Sequence, residues 1–116
     1  MDRDVQIVYE QLKKIARNQK TTSYSEMGEL VGLDMSTDIG RIRIAQILDD
    51  INRHEDNEGR PLLSAIVIRK DYNMPGTGFF DCAIALGRYN GNDDIVFWTR
   101  ELNEVLKYWA PTPHTP

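Results

Sequence analysis

The run Tyr24-Ser25-Glu26-Met27-Gly28-Glu29-Leu30-Val31-Gly32 leaves a chain few ways to fold. Ser23 with Glu26 three residues on is a capping-box pair, each side chain placed to satisfy a backbone N–H of the other. Tyr24, Met27, Leu30 and Val31 fall on one apolar stripe, and Gly32 stands where a helix ends in the left-handed conformation. The helix so defined is only about two turns long, too short to persist unaided, so packing against neighbours must hold it. A second helical pattern opens at Ile39. Helix, tight turn and helix is the arrangement by which nucleic-acid-reading domains present side chains to a groove. No catalytic constellation competes with it.

The flanking sequence extends this unit. Val5, Val8, Tyr9, Leu12, Ile15 and Ala16 recur at helical spacing and predict an amphipathic helix over about 3–18, ending in the cations Lys13, Lys14, Arg17 and Lys20. Those cations suit a helix C-terminus, or form a phosphate-contacting cluster. Residues 39–56 predict a helix capped by Ser36, Thr37 or Asp38, with Ile44, Ile47, Leu48 and Ile51 toward the core, ended by Gly59 and Pro61. Leu62 to Ile68 is the best strand candidate, apolar on both faces and so covered on both. Asp71 to Gly78 is a turn-rich loop. Phe79 to Leu86 fits a helix closed by Gly87 better than a second strand. Asp93 caps a last helix, in which Ile95, Trp98, Leu102, Val105, Leu106 and Trp109 repeat at helical intervals. The expected architecture is mostly helical α+β: a winged-helix-like helix-turn-helix unit with one or two short strands and two C-terminal helices. One domain, 1–109, is followed by a Pro-rich tail, 110–116, expected to be disordered.

Bulk composition limits the functions available. The 116 residues carry 14 Lys+Arg against 18 Asp+Glu, a net charge of -4, whereas proteins that bind DNA are usually basic. Eleven of the cations lie in residues 1–70, against 12 acids, so any nucleic-acid face belongs there. The lone Cys82 has no disulfide partner and sits among Phe79, Phe80, Ala83 and Ile84, which makes it a buried apolar residue. The N-terminus lacks a signal-peptide pattern, and no apolar stretch approaches the roughly 20 residues that span a bilayer. A cytoplasmic location, with no membrane partner, is expected.

Little in the sequence suggests catalysis or cofactors. His54, with Glu55 and Asp56 at a frayed helix end, reads as solvated, and His114 lies in the tail. Asp49-Asp50, Glu55-Asp56 and Asp93-Asp94 are adjacent on helices, where neighbours diverge by about 100° and do not converge on one ion. Asn73 to Gly78 lacks the Lys of a P-loop and the third Gly of a dinucleotide fingerprint, so a structural turn is the better reading. No catalytic residue, metal or cofactor is therefore assigned. Arg43 and Gln46, three apart on the third helix, are the side-chain types that read guanine and adenine. Asp49 and Asp50 follow within two turns, so only the start of that helix could dock on phosphates. The last helix carries more aromatic and apolar surface than one face of a small core consumes, which leaves a dimer or partner surface open.

Tyr24 to Gly32 resembles the opening of the helix-turn-helix in the DNA-binding domain of alkylguanine-DNA alkyltransferases and alkyltransferase-like proteins. That pattern runs Tyr, Gly or Ser, an acid, an aliphatic, a small residue, three variable positions, then Gly. The order that follows, an Arg-bearing helix over Ile39 to Ile51 and then Pro61 to Val67, is also similar, so the resemblance covers about residues 3–70. It implies a winged-helix fold, with Tyr24 touching a phosphate and Arg41 or Arg43 near the base stack. It does not imply alkyl transfer. The family's Pro-Cys-His-Arg is replaced by Pro61-Leu62-Leu63-Ser64, and Leu62 cannot accept an alkyl group. Gly59 to Phe80, with Trp98 to Trp109, also resembles a domain of prokaryotic proteins that carries no activity with it. Two expectations follow. The first is a small non-enzymatic module that binds double-stranded DNA weakly and with strong salt dependence through Lys20, Tyr24, Arg41, Arg43, Gln46, Arg69 and Lys70. The second is a protein-interaction adaptor of the same shape, possibly a homodimer through its last helix.

Overall fold

The computed structural model describes residues 1–111. Among these it contains five helices, α1 (Arg3–Arg17), α2 (Tyr24–Leu30), α3 (Asp38–Asn57), α4 (Thr77–Ala85) and α5 (Asp94–Trp109), with two short strands, β1 (Thr22–Ser23) and β2 (Val67–Ile68). The protein is thus a small, mostly helical α+β globule. The expected tail falls largely outside the described residues.

Local chemistry sets the helix starts. The Asp2, Ser23, Thr37 and Asp93 side chains accept from Val5, Glu26, Gly40 and Val96 N–H, each three residues on, at 2.9–3.2 Å. The capping box at α2 forms in one direction only, because the Glu26 carboxylate accepts instead from the Thr22 hydroxyl at 2.9 Å. Gly59, at φ 71°, stops α3: its N–H donates to Asp56 O and that of Arg60 to Glu55 O. These two bonds satisfy carbonyls that the last turn leaves open. Gly32 and Gly87 close α2 and α4 in the same way. At the end of α1, Gln19 takes the left-handed position, at φ 59°. Its amide nitrogen, Nε2, donates to Ala16 O at 2.9 Å and Leu106 O at 2.8 Å, tying α1 to α5.

The core gathers Val5, Val8 and Leu12 of α1, Ile44, Ile47 and Ile51 of α3, and the whole run Leu62 to Val67. That run is not the strand its composition predicts. Leu63–Ile66 form a 3-10 turn, and only Val67 and Ile68 pair as strand. Side chains replace the missing ladder: Glu101 accepts from Leu62 N–H at 2.8 Å, Asn52 accepts from Ser64 N–H at 3.1 Å, and Trp98 donates to Ala65 O at 2.9 Å. A short apolar run has no periodicity that separates strand from helix, and these distant partners decide it. The β1–β2 pairing is parallel, with Thr22 opposite Val67 and Ser23 opposite Ile68. Parallel pairing needs a long connection, which α2 and α3 supply, and these strands do not make the antiparallel hairpin of a wing. After β2 the chain turns through one antiparallel bridge, Arg69 to Met74, and enters α4.

Glu55 and Asp56 do not sit in solvent as expected. Glu55 is 0% exposed, accepting from Tyr9 Oη at 2.7 Å and pairing with Arg60 at 3.1 Å. Asp56 pairs with Arg88 at 2.7 Å, and Arg88 also reaches Glu101 at 3.3 Å and Arg60 O at 2.6 Å. His54 stands edge-on to Tyr9, ring centroids 5.4 Å apart, rather than free at a helix end. In α5, Val105 is buried while Trp98, Leu102, Leu106 and Trp109 pack against the core, so most of that stripe clamps the bundle. Ile95, assigned to the stripe, is 64% exposed, and Phe97 takes the buried position. Among the described residues, no helix is long and apolar enough to cross a membrane.

Candidate functional site

An open groove of about 1140 Å³ lies beside the outer face of α3. One wall is α3 itself, through Arg41, Ile42, Ala45, Gln46 and Asp49. The opposite wall is the segment after β2, with Arg69, Lys70 and Asp71, continued by the first turns of α4. Tyr24 and Ser25 close one end.

The Tyr24 hydroxyl positions the far wall, accepting from Gly76 N–H at 2.8 Å. Burial raises the Tyr24 phenol, against the opposing effects of that N–H and of Arg69, so the group stays protonated and keeps its own proton to donate. The Arg69 guanidinium lies 4.4 Å from the ring centroid of Tyr72, a residue that is 63% exposed. Lys70 stands 3.8 Å from Glu26. Arg41 donates to Asp38 at 2.5 Å and to Met35 O at 3.1 Å.

The floor is polar and closed. Asn52, 1% exposed, donates to Ser64 Oγ at 2.7 Å and accepts from Ser64 N–H. Beside them Cys82 is buried, and burial, then the neighbouring Asp49, pushes its thiol up to about 12. A thiol held protonated is no nucleophile at neutral pH. On Asp49, burial acts to raise the carboxyl, but Arg53 at 2.7 Å and Cys82 outweigh it and hold it low. Among the described residues, no three His, Cys, Asp or Glu side chains converge as a metal site.

Five of the seven predicted residues, Tyr24, Arg41, Gln46, Arg69 and Lys70, therefore meet on one groove although they come from three separate segments. Two do not. Arg43 turns away to Asp2 at 3.1 Å and Asp4 at 3.8 Å, since the first turn of α1 offers it two carboxylates; it does not share a working face with Gln46. Lys20 is exposed beyond the end of α1 and is not part of the groove wall. The proposed cation cluster on α1 is likewise dispersed: Lys13 pairs with Glu10 and covers Tyr9, and Arg17 lies over Trp109.

Asn52, Ser64 and Tyr72 were not singled out by sequence. A polar residue at a core position of a helix, and another inside an apolar run, were the available signals for the first two. No family model, curated protein or solved structure matches the chain.

Proposed function

We propose that this protein is a small non-enzymatic DNA-binding module of winged helix-turn-helix type, with α3 and the Arg69–Met74 turn forming its contact surface. The observation that carries the reading is the convergence of Tyr24, Arg41, Gln46, Arg69 and Lys70 on one groove. Element order supports it: α1, β1, α2, α3 and β2 succeed one another, and the turn after β2 stands where a wing would. The parallel strand pairing is the departure from that fold. Leu62 at the position of the alkyl acceptor, and a protonated Cys82, support a role without covalent chemistry.

The groove wall carries Arg41, Arg53, Arg69 and Lys70 against Asp49, Asp50, Asp71 and Asp81, so affinity for a polyanion is modest. If about four cations meet phosphates, raising salt from about 50 to about 200 mM weakens binding about a hundredfold. Titration of labelled DNA at the two concentrations checks this, and the double variant Arg41→Glu/Arg69→Glu is expected to abolish binding. A flat salt response, or no binding at the lower salt, sinks the proposal. A second reading, the protein-interaction adaptor, is favoured by Ile39 and Ile42, which are 81% and 58% exposed on α3. Ile95, Val96 and Tyr108, the exposed part of α5, are the surface through which such an adaptor would pair. Light scattering of the protein alone tests that pairing.

A further inference from the structure

We infer that the groove takes an unpaired nucleic-acid strand in preference to an intact duplex, with Tyr72, stacked on the groove-lining Arg69, as a platform for a base beside it. The inference rests on the DNA-binding reading and names its substrate class.

Three observations carry it. First, α3 does not stand proud of the surface. Its outer face is one side of a cleft whose other side is the post-β2 segment and α4. A helix reads a duplex by projecting into the major groove, whereas the groove-lining residues of α3 are shared with a facing segment. A single strand has no such bulk. The cleft, at about 1140 Å³, also exceeds the roughly 300–1,000 Å³ that holds one drug-sized molecule.

Second, Tyr72 is 63% exposed, and the Arg69 guanidinium lies over its ring at 4.4 Å. An ordered aromatic ring beside a cation is what sequence-tolerant base stacking requires, and only an unstacked base offers it a free face. Third, the charge pattern fits bases better than phosphates alone. Arg41, Arg53, Arg69 and Lys70 along the lining can meet the backbone, while the interspersed Asp49, Asp50, Asp71 and Asp81 would repel it. Carboxylates accept hydrogen bonds from base N–H groups. In a duplex those on the pairing edge are already used; in a single strand they are free.

Fluorescence anisotropy with a labelled 12-nucleotide single strand and the same sequence as a duplex, at about 50 mM salt, tests the inference. The single strand is expected to bind about tenfold tighter than the duplex. Tyr72→Ala should remove about tenfold from single-strand affinity, Tyr72→Phe should keep it, and Tyr108→Ala, an exposed tyrosine on α5, should change nothing. Tyr72 is 63% exposed, so each substitution should leave the fold intact, which circular dichroism of each variant checks. A duplex bound as tightly as the strand, or a Tyr72→Ala variant that binds like the parent, overturns the inference and leaves DNA binding standing. If neither nucleic acid binds, both fall.

Discussion

Gly40 and Gly28 meet their surroundings differently, and the difference sets the cost of adding one carbon. A Cβ at Gly40 would stand 2.1 Å from the Asp34 carbonyl oxygen, part of a turn held by Thr37 and Ser36. One at Gly28 would stand 2.3 Å from Met35 Sδ, the end of a flexible side chain. Gly40→Ala is therefore expected to cost about 1–3 kcal/mol, the range for an overpacked site, and Gly28→Ala clearly less, since methionine finds another rotamer easily. Urea melts of the two variants check the order; equal losses would refute it. Asn52 and Ser64 show the same dependence on surroundings in polar form. Each satisfies the other, which is why two polar side chains persist at 1% and 3% exposure.

The helices owe their ends to local sequence and their persistence to packing. Seven-residue α2 has a serine cap and a glycine stop but only Met27 and Gly28 buried, so it is held from outside by α3 and by the Tyr24–Gly76 bond. The α3 start is different, because Thr37 both caps Gly40 N–H at 3.0 Å and donates to Asp34 O at 2.7 Å. Thr37→Ala removes both bonds and should destabilise the protein by about 1–2 kcal/mol, toward the upper end for an N-cap. Thr37→Ser should recover most of the loss. Thermal unfolding of the pair measures it, and a Ser variant no better than Ala would show that the hydroxyl is not responsible. Because Arg41 also reaches Met35 O in this turn, the same cap orders one wall of the groove.

Across the molecule, charge is used to fasten elements together. Glu55, Asp56 and Glu101 are bound by Arg60 and Arg88, joining α1, α3, α5 and the loop after α4. Protons are used likewise. Burial, then Glu55, pushes the Tyr9 phenol up to about 12 from 10.0, and burial, then Asp49, takes the Cys82 thiol to about 12 from 9.0. Both folded values are raised, so the native state holds these protons more tightly than the unfolded chain. Their contribution to stability is complete below about pH 9 and is lost as pH climbs toward 12. Denaturant midpoints measured from pH 8 to 11 should fall, and in Cys82→Ala the decline should begin nearer pH 10, where tyrosine takes over. A midpoint unchanged across that range would contradict it.

Helix positions, caps, stops and the buried face of α3 were legible because each is written within a few residues: Thr37 and Gly59 bound α3, and Ile44, Ile47, Leu48 and Ile51 face inward as their spacing requires. The candidate site was half legible. Residue type identified Gln46, Arg69 and Lys70, and the resemblance Tyr24 and Arg41, but nothing local says that Arg43 finds Asp2 and Asp4, 41 and 39 positions earlier. The conformation of Leu62–Ile66, the burial of Glu55 and the cleft facing α3 were likewise decided in three dimensions. Short-range hydrogen bonds and side-chain period act along the chain, whereas an ion pair or an unladdered backbone takes whichever partner the packed fold brings within reach.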